Sequence, residues 1–158
     1  MSAPQATAVS DRLRELGIEL PSVVPPVAAY IPAKVHGDVV QTSGQLPMSA
    51  GALPATGKVG AEVSAEDAAA YARTCALNAL AAAAAAAGGV DQLTGVLKVT
   101  GFVASAAEFT GQPAVINGAS EVLGEIFGEA GVHARSAVGV AGLPLDAPVE
   151  VEVAFTLA

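Results

Sequence analysis

Few side chains in this chain could do chemistry on a small anion. Arg135 stands in the run His133-Ala134-Arg135-Ser136-Ala137-Val138, a stretch almost free of other cations. A guanidinium offers a planar fork that grips a carboxylate through two hydrogen bonds, and more strongly where water is excluded. An ordinary ion pair with an acidic neighbour is the equal alternative. Glu150 and Glu152 alternate with Val149, Val151 and Val153. On a strand, both carboxylates therefore project to one face and the valines to the other. A carboxylate so placed serves either as a general base or as part of a solvated strand face.

The remaining candidates carry less. Tyr30, one of two tyrosines, either lines a pocket or packs at the core edge with its hydroxyl in water. His36, in a turn, and His133, in a loop, read as exposed polar residues with no nucleophile paired to either. Cys75 falls within a stripe of small side chains, where a thiol acts as a small apolar group. One cysteine and two histidines exclude an intramolecular disulfide and are too few for a structural zinc site. A metal-free, cytoplasmic protein is expected. The first residues have no basic stretch followed by an apolar one, so no secretory signal is expected either.

The elements that must hold these groups follow from local signals. Ser10 is expected to cap a short helix over Asp11 to Leu16 that stops at Gly17. Pro21, Pro25 and Pro26 enforce a rigid linker, so residues 1–26 read as an appendage and 27–158 as the domain. Strand-like runs from Ala28 to Val35 and from Val39 to Ser43 flank His36-Gly37-Asp38, which predicts a hairpin ended by Gly44. Met48 to Gly60 holds four glycines or prolines in a loop composition. Ser64 and Asp67 open a long helix that Gly88-Gly89 ends, with Ala68, Ala72, Cys75, Ala79 and Ala83 as a close-packing stripe. Its apolar tract, broken by Asn78 and the glycines, falls short of a membrane span. A strand over Gly95 to Ala104, a helix from Pro113 or Ala114 to Glu129, a strand over Ser136 to Ala141 and a last strand over Val149 to Leu157 complete the order. The final two strands are read as a second hairpin. Two helices cover one sheet face, and the other needs a partner.

For 158 residues with 53% hydrophobic and 14% charged content, one folded domain is expected and a disordered acidic tail is excluded. Fifteen acidic against seven basic residues leave a net charge of −8. That argues against nucleic acid as the main partner, because phosphate neutralisation needs clustered cations.

Several segments together resemble the RidA/YjgF family, in its longer, endoribonuclease-like branch. They are Thr42-Ser43-Gly44-Gln45-Leu46-Pro47, Val96 to Val103, Ala134-Arg135-Ser136, and Leu143-Pro144 leading to Val149-Glu150-Val151-Glu152. The resemblance implies an α+β, chorismate-mutase-like fold: a mixed sheet covered by two helices, assembled as a homotrimer around a central β-barrel with clefts between subunits. It implies hydrolytic deamination of reactive 2-imino or enamino acids to 2-oxo acids and ammonia, with no cofactor. By position it makes Arg135 the carboxylate grip and Glu150 the residue that positions water. Tyr30, Gly44, Asn117 and Ala137 become pocket residues, Ala137 standing where the family usually has cysteine. The alternative function is a non-catalytic trimer that binds or senses small carboxylates. The ribonuclease activity in the family label ranks last, given the acidic charge and the lack of a histidine pair.

Overall fold

The computed structural model describes residues 7–23 and 29–158. Pro25 and Pro26 of the expected linker, and Ala28 at the expected strand start, lie outside the described residues.

The first helix, α1 (Val9–Glu15), begins earlier than its serine suggests. Ser10 does not cap it. Its N–H and hydroxyl both donate to the Asp91 carboxylate, at 2.8 and 2.7 Å, a long-range anion at the helix N-terminus. Val9 and Leu13 are buried in the same core as the rest of the chain, and that burial draws Val9 into the helix. Gly17 ends it at φ 67°, as expected of a left-handed stop.

Strands β1 (Ala33–His36) and β2 (Val39–Thr42) form the predicted hairpin. His36 belongs to β1 and pairs with Val39, so the turn is the two residues Gly37-Asp38, with Gly37 at φ 61°, the conformation such turns require. Helix α2 (Ala65–Ala87) starts where Ser64 accepts a hydrogen bond from the Asp67 N–H at 3.1 Å. It stops at Gly88, φ 87°. The whole predicted stripe, Ala68, Ala72, Cys75, Ala79 and Ala83, is buried. Strand β3 (Leu93–Ala104), helix α3 (Gln112–Phe127), strand β4 (Ala134–Val140) and strand β5 (Val149–Leu157) follow.

The sheet order is β1-β2-β5-β3-β4. The expected closing hairpin is therefore wrong: β5 inserts between β2 and β3, antiparallel to both, while β4 lies on the far edge parallel to β3. The reason lies in burial. The valines of β5 and Phe155 are wholly or almost wholly buried, as a central strand demands, whereas every residue of β4 keeps some exposure. Helices α2 and α3 cover one face, α2 over β5, β1 and β2, and α3 over β3 and β4. They cross closely at Gly118, where a methyl group would strike the Ala69 carbonyl. On the other face Leu97 and Val138 remain exposed, and Leu97 lines a depression of about 640 Å³ together with Lys34, His36 and Gln41.

Candidate functional site

Register assigns each candidate to a face. Along β5, Val149, Val151 and Val153 are buried beneath the helices and Glu150 and Glu152 point to the uncovered face, as their alternation predicts. In β4, Arg135, Ala137 and Gly139 pair with Val99, Gly101 and Val103. That set faces the helices, because a side chain at Gly101 would meet Ile116 and one at Gly139 would meet Gln112, both on α3. Arg135 and Glu150 thus lie on opposite faces of one sheet. Glu150 pairs with Phe102 and Arg135 with Val99, so they are also offset by three residues, about 10 Å along the strands. The chain by itself does not bring them together.

Around Glu150 the local structure is built to admit a carboxylate. Gln41 pairs with Ala154, but Gln45 pairs with Val151, so one extra residue is accommodated between Thr42 and Gly44, the signature of a bulge. The Val153 N–H, left without a ladder partner there, donates to the Thr42 hydroxyl at 3.1 Å. Gly44 then lies against the Glu150 side chain, where a Cβ would overlap the carboxylate. The Ser43 hydroxyl donates to the Ile31 carbonyl at 2.6 Å and its N–H to the Pro32 carbonyl at 2.8 Å. These bonds tie the segment of Tyr30 to Gly44, with Tyr30 itself 53% exposed. From α2, the Asn78 amide donates to the Leu46 and Met48 carbonyls at 3.0 and 3.1 Å, fixing the chain just beyond Gly44. In sequence Asn78 is only a break in an apolar tract.

Burial pushes the Glu150 carboxyl above the usual carboxylate range, and the negative charge of Glu152 adds to the rise. Among the described residues no Lys or Arg lies within 4 Å of it to oppose this. Cys75, fully buried, is pushed well up by desolvation and then by the Glu150 charge, which keeps its thiol protonated and unreactive.

Arg135 meets no carboxylate in the described residues, so the ordinary ion pair is not formed. Its Nη1 donates instead to Asn117 Oδ1 at 2.8 Å and to Ser120 Oγ at 3.3 Å, both on α3. Ala137 shares its strand face, two residues on. His133 is partly buried and paired: Nε2 lies 2.9 Å from Ser120 Oγ and Nδ1 2.6 Å from the Gly131 carbonyl. The expectation of an exposed His133 with no hydroxyl beside it is thereby corrected, and Ser120 is a residue that sequence reasoning missed. Two spacings carried the signal: Asn117 and Ser120 are three apart on one helix face, and His133 and Arg135 two apart on one side of an extended run. His36 is exposed at the end of β1. The described residues contain no cluster of three His, Cys, Asp or Glu able to hold a metal.

Comparison with known proteins agrees with this architecture. A family described as "YjgF/chorismate mutase-like, putative endoribonuclease" matches residues 10–155. Protein TCP17 of Trypanosoma cruzi is 40% identical over 158 residues, 99% of each chain. The structure of protein Atu1372 of Agrobacterium tumefaciens, whose function is unknown, superposes with a TM-score of 0.87 at 42% identity, covering 96% of this chain and 93% of that one. Escherichia coli TdcF with bound serine superposes with a TM-score of 0.63 at 25% identity, covering 88% and 98%. With the mixed five-stranded sheet, the two covering helices and a family match across nearly its whole length, the chain belongs to the RidA/YjgF family of chorismate mutase-like proteins.

Proposed function

We propose that the protein hydrolyses small 2-imino acids to 2-oxo acids and ammonia in a cleft between two copies of itself, three copies closing into a ring. The observation that carries this reading is the placement of Arg135 and Glu150: two charges without opposite-charge partners, on opposite faces of one sheet. A cyclic assembly brings the uncovered face of one copy against the edge strand of the next, which is how one patch of a chain completes another. The exposed Leu97 and Val138 would be covered in the same step.

The chemistry follows from the two halves. Arg135 anchors the substrate carboxylate and Glu150, beside Gly44, holds a water over the C=N carbon. The water oxygen bonds to that carbon and passes a proton to the Glu150 carboxylate, while the π electrons move onto the nitrogen, which then takes that proton from Glu150. The regenerated Glu150 carboxylate takes the remaining hydroxyl proton and hands it to the nitrogen, and the C–N bond breaks with its electrons leaving on ammonia as the carbonyl forms. A carboxyl raised above its usual range suits both transfers, because it is a stronger base for each proton it takes. No metal or organic cofactor is needed for this sequence.

A second reading, a trimer that binds small carboxylates without turning them over, is favoured by the serine bound to TdcF and uses the same site. Cleavage of RNA fits less well, since a net charge of −8 repels a polyanion. The deciding experiment follows ammonia and 2-oxo acid release from 2-iminopropionate generated in situ. Release above the spontaneous rate that disappears in Arg135→Ala supports the deaminase; no acceleration across several imino acids leaves the binding trimer.

A further inference from the structure

We propose that Ser120 and His133 are positioning residues that aim Arg135 at its ligand, an inference that rests on the reading of Arg135 as a carboxylate grip. The chain of contacts begins at Gly131. Its carbonyl can only accept, so the His133 nitrogen 2.6 Å away, Nδ1, carries a proton. In the neutral ring Nε2 is then an acceptor, and Ser120 Oγ at 2.9 Å donates its single proton to it. A free hydroxyl would rotate and could turn its proton toward the guanidinium, where it repels. Bound to His133, it turns a lone pair to Arg135 Nη1 instead, at 3.3 Å.

Asn117 Oδ1 takes the other Nη1 hydrogen, at 2.8 Å. Both hydrogens of Nη1 are thereby held on α3, and among the described residues no acceptor engages Nε or Nη2. Those two nitrogens form the side-on fork of the guanidinium, which matches the two oxygens of one carboxylate. The inference therefore deepens the substrate class: a ligand with a planar carboxylate taken side-on, and not a ligand that offers one neutral carbonyl. Ser120 and His133 do not touch that ligand; they act through Arg135.

The test measures Kd for pyruvate and for its uncharged counterpart pyruvamide, by NMR titration of the assembled full-length protein. Wild type is compared with Ser120→Ala, His133→Ala, Ser120→Thr, the Ser120→Ala/His133→Ala pair and Arg135→Ala. Ser120→Ala and His133→Ala should each weaken pyruvate binding about tenfold, the worth of one charge-assisted hydrogen bond, and pyruvamide binding less than about twofold. The paired variant should be little worse than either single one, because the two act as one relay, and Ser120→Thr, which keeps the hydroxyl, should bind nearly as wild type. Equal losses for pyruvate and pyruvamide would reveal a merely structural role and overturn the inference. So would unchanged pyruvate binding in Ser120→Ala and His133→Ala while Arg135→Ala loses it, an outcome that leaves the carboxylate grip standing. Unchanged binding in Arg135→Ala would instead remove the grip itself, and the inference with it.

Discussion

Replacing Gly44 by alanine places a methyl group in the space that the Glu150 carboxylate occupies. An ideal Cβ at this position falls 2.8 Å from Glu150 Cδ and 3.1 Å from Cγ, whereas ordinary contact begins at 3.4 Å. The carboxyl carbon must therefore retreat by at least 0.6 Å (3.4 less 2.8), and its oxygens, farther out on the side chain, by more. Gly44 is not in the left-handed region, so alanine brings no backbone strain and even restricts the unfolded chain, worth about 0.4–1 kcal/mol in favour of the fold. The clash is with the end of a flexible side chain, which can move aside. Stability should consequently change little while the proposed base is displaced, and a misplacement of about 1 Å costs on the order of 100-fold in rate, or roughly 2.7 kcal/mol of barrier. The assay is 2-iminopropionate hydrolysis at saturating substrate, run beside thermal unfolding. In a Glu150→Gln background the same replacement should cost nothing further, because the group it displaces is already disabled. Wild-type kcat in Gly44→Ala would refute the placement of Glu150 as the water-activating group.

Other consequences can be checked separately. Since burial raises the Glu150 carboxyl and the proposed base is the ionised form, kcat/KM should fall as pH drops through that raised value, giving an acid limb above the ordinary glutamate pKa of about 4.3; a pH–rate profile flat down to that ordinary value would contradict it. Asn78→Ala removes both bonds that fix the Leu46–Met48 segment and should cost about 1–3 kcal/mol in urea unfolding, a loss below about 0.5 kcal/mol being the contrary result. Gly118→Ala drives a methyl into the Ala69 backbone, which cannot yield as a side chain does, and should cost about 1–3 kcal/mol as α2 and α3 are forced apart; unchanged unfolding would show that the helices separate freely.

Elements with a local cause were readable from the residues. Ser64 and Gly88-Gly89 bound α2 because a hydroxyl and a left-handed glycine satisfy helix ends without help from the rest of the molecule. The alternation around Glu150 and Glu152 assigned their face for the same reason. What depended on distant partners was not readable. The insertion of β5 between β2 and β3 is decided by which strand has two buried neighbours, and no spacing within Val149–Leu157 records it. Ser10 has the type of a cap, yet Asp91, 81 positions away, takes both of its donors. The Met48 to Gly60 stretch reads as a loop and is one, but Val59 within it is fully buried and bridges to Val63 and Ser105. At the candidate site the resemblance pointed to Arg135, Glu150 and Gly44, whereas the bulge that opens room for the carboxylate, and the pairing of His133 with Ser120, emerged only once strands and helix were set side by side.

The central claim is that Arg135 of one copy and Glu150 of another complete each site, and subunit mixing tests it most directly. Arg135→Ala and Glu150→Ala proteins, each inactive alone, are unfolded, combined in equal amounts and refolded together. If the site lies between copies, random assembly in a ring joins an intact Arg135 to an intact Glu150 at about a quarter of the interfaces, and about a quarter of wild-type 2-iminopropionate hydrolysis should return. Mixed assemblies as inactive as their parents, formed alongside a fully active wild-type control refolded in the same way, would contradict the account.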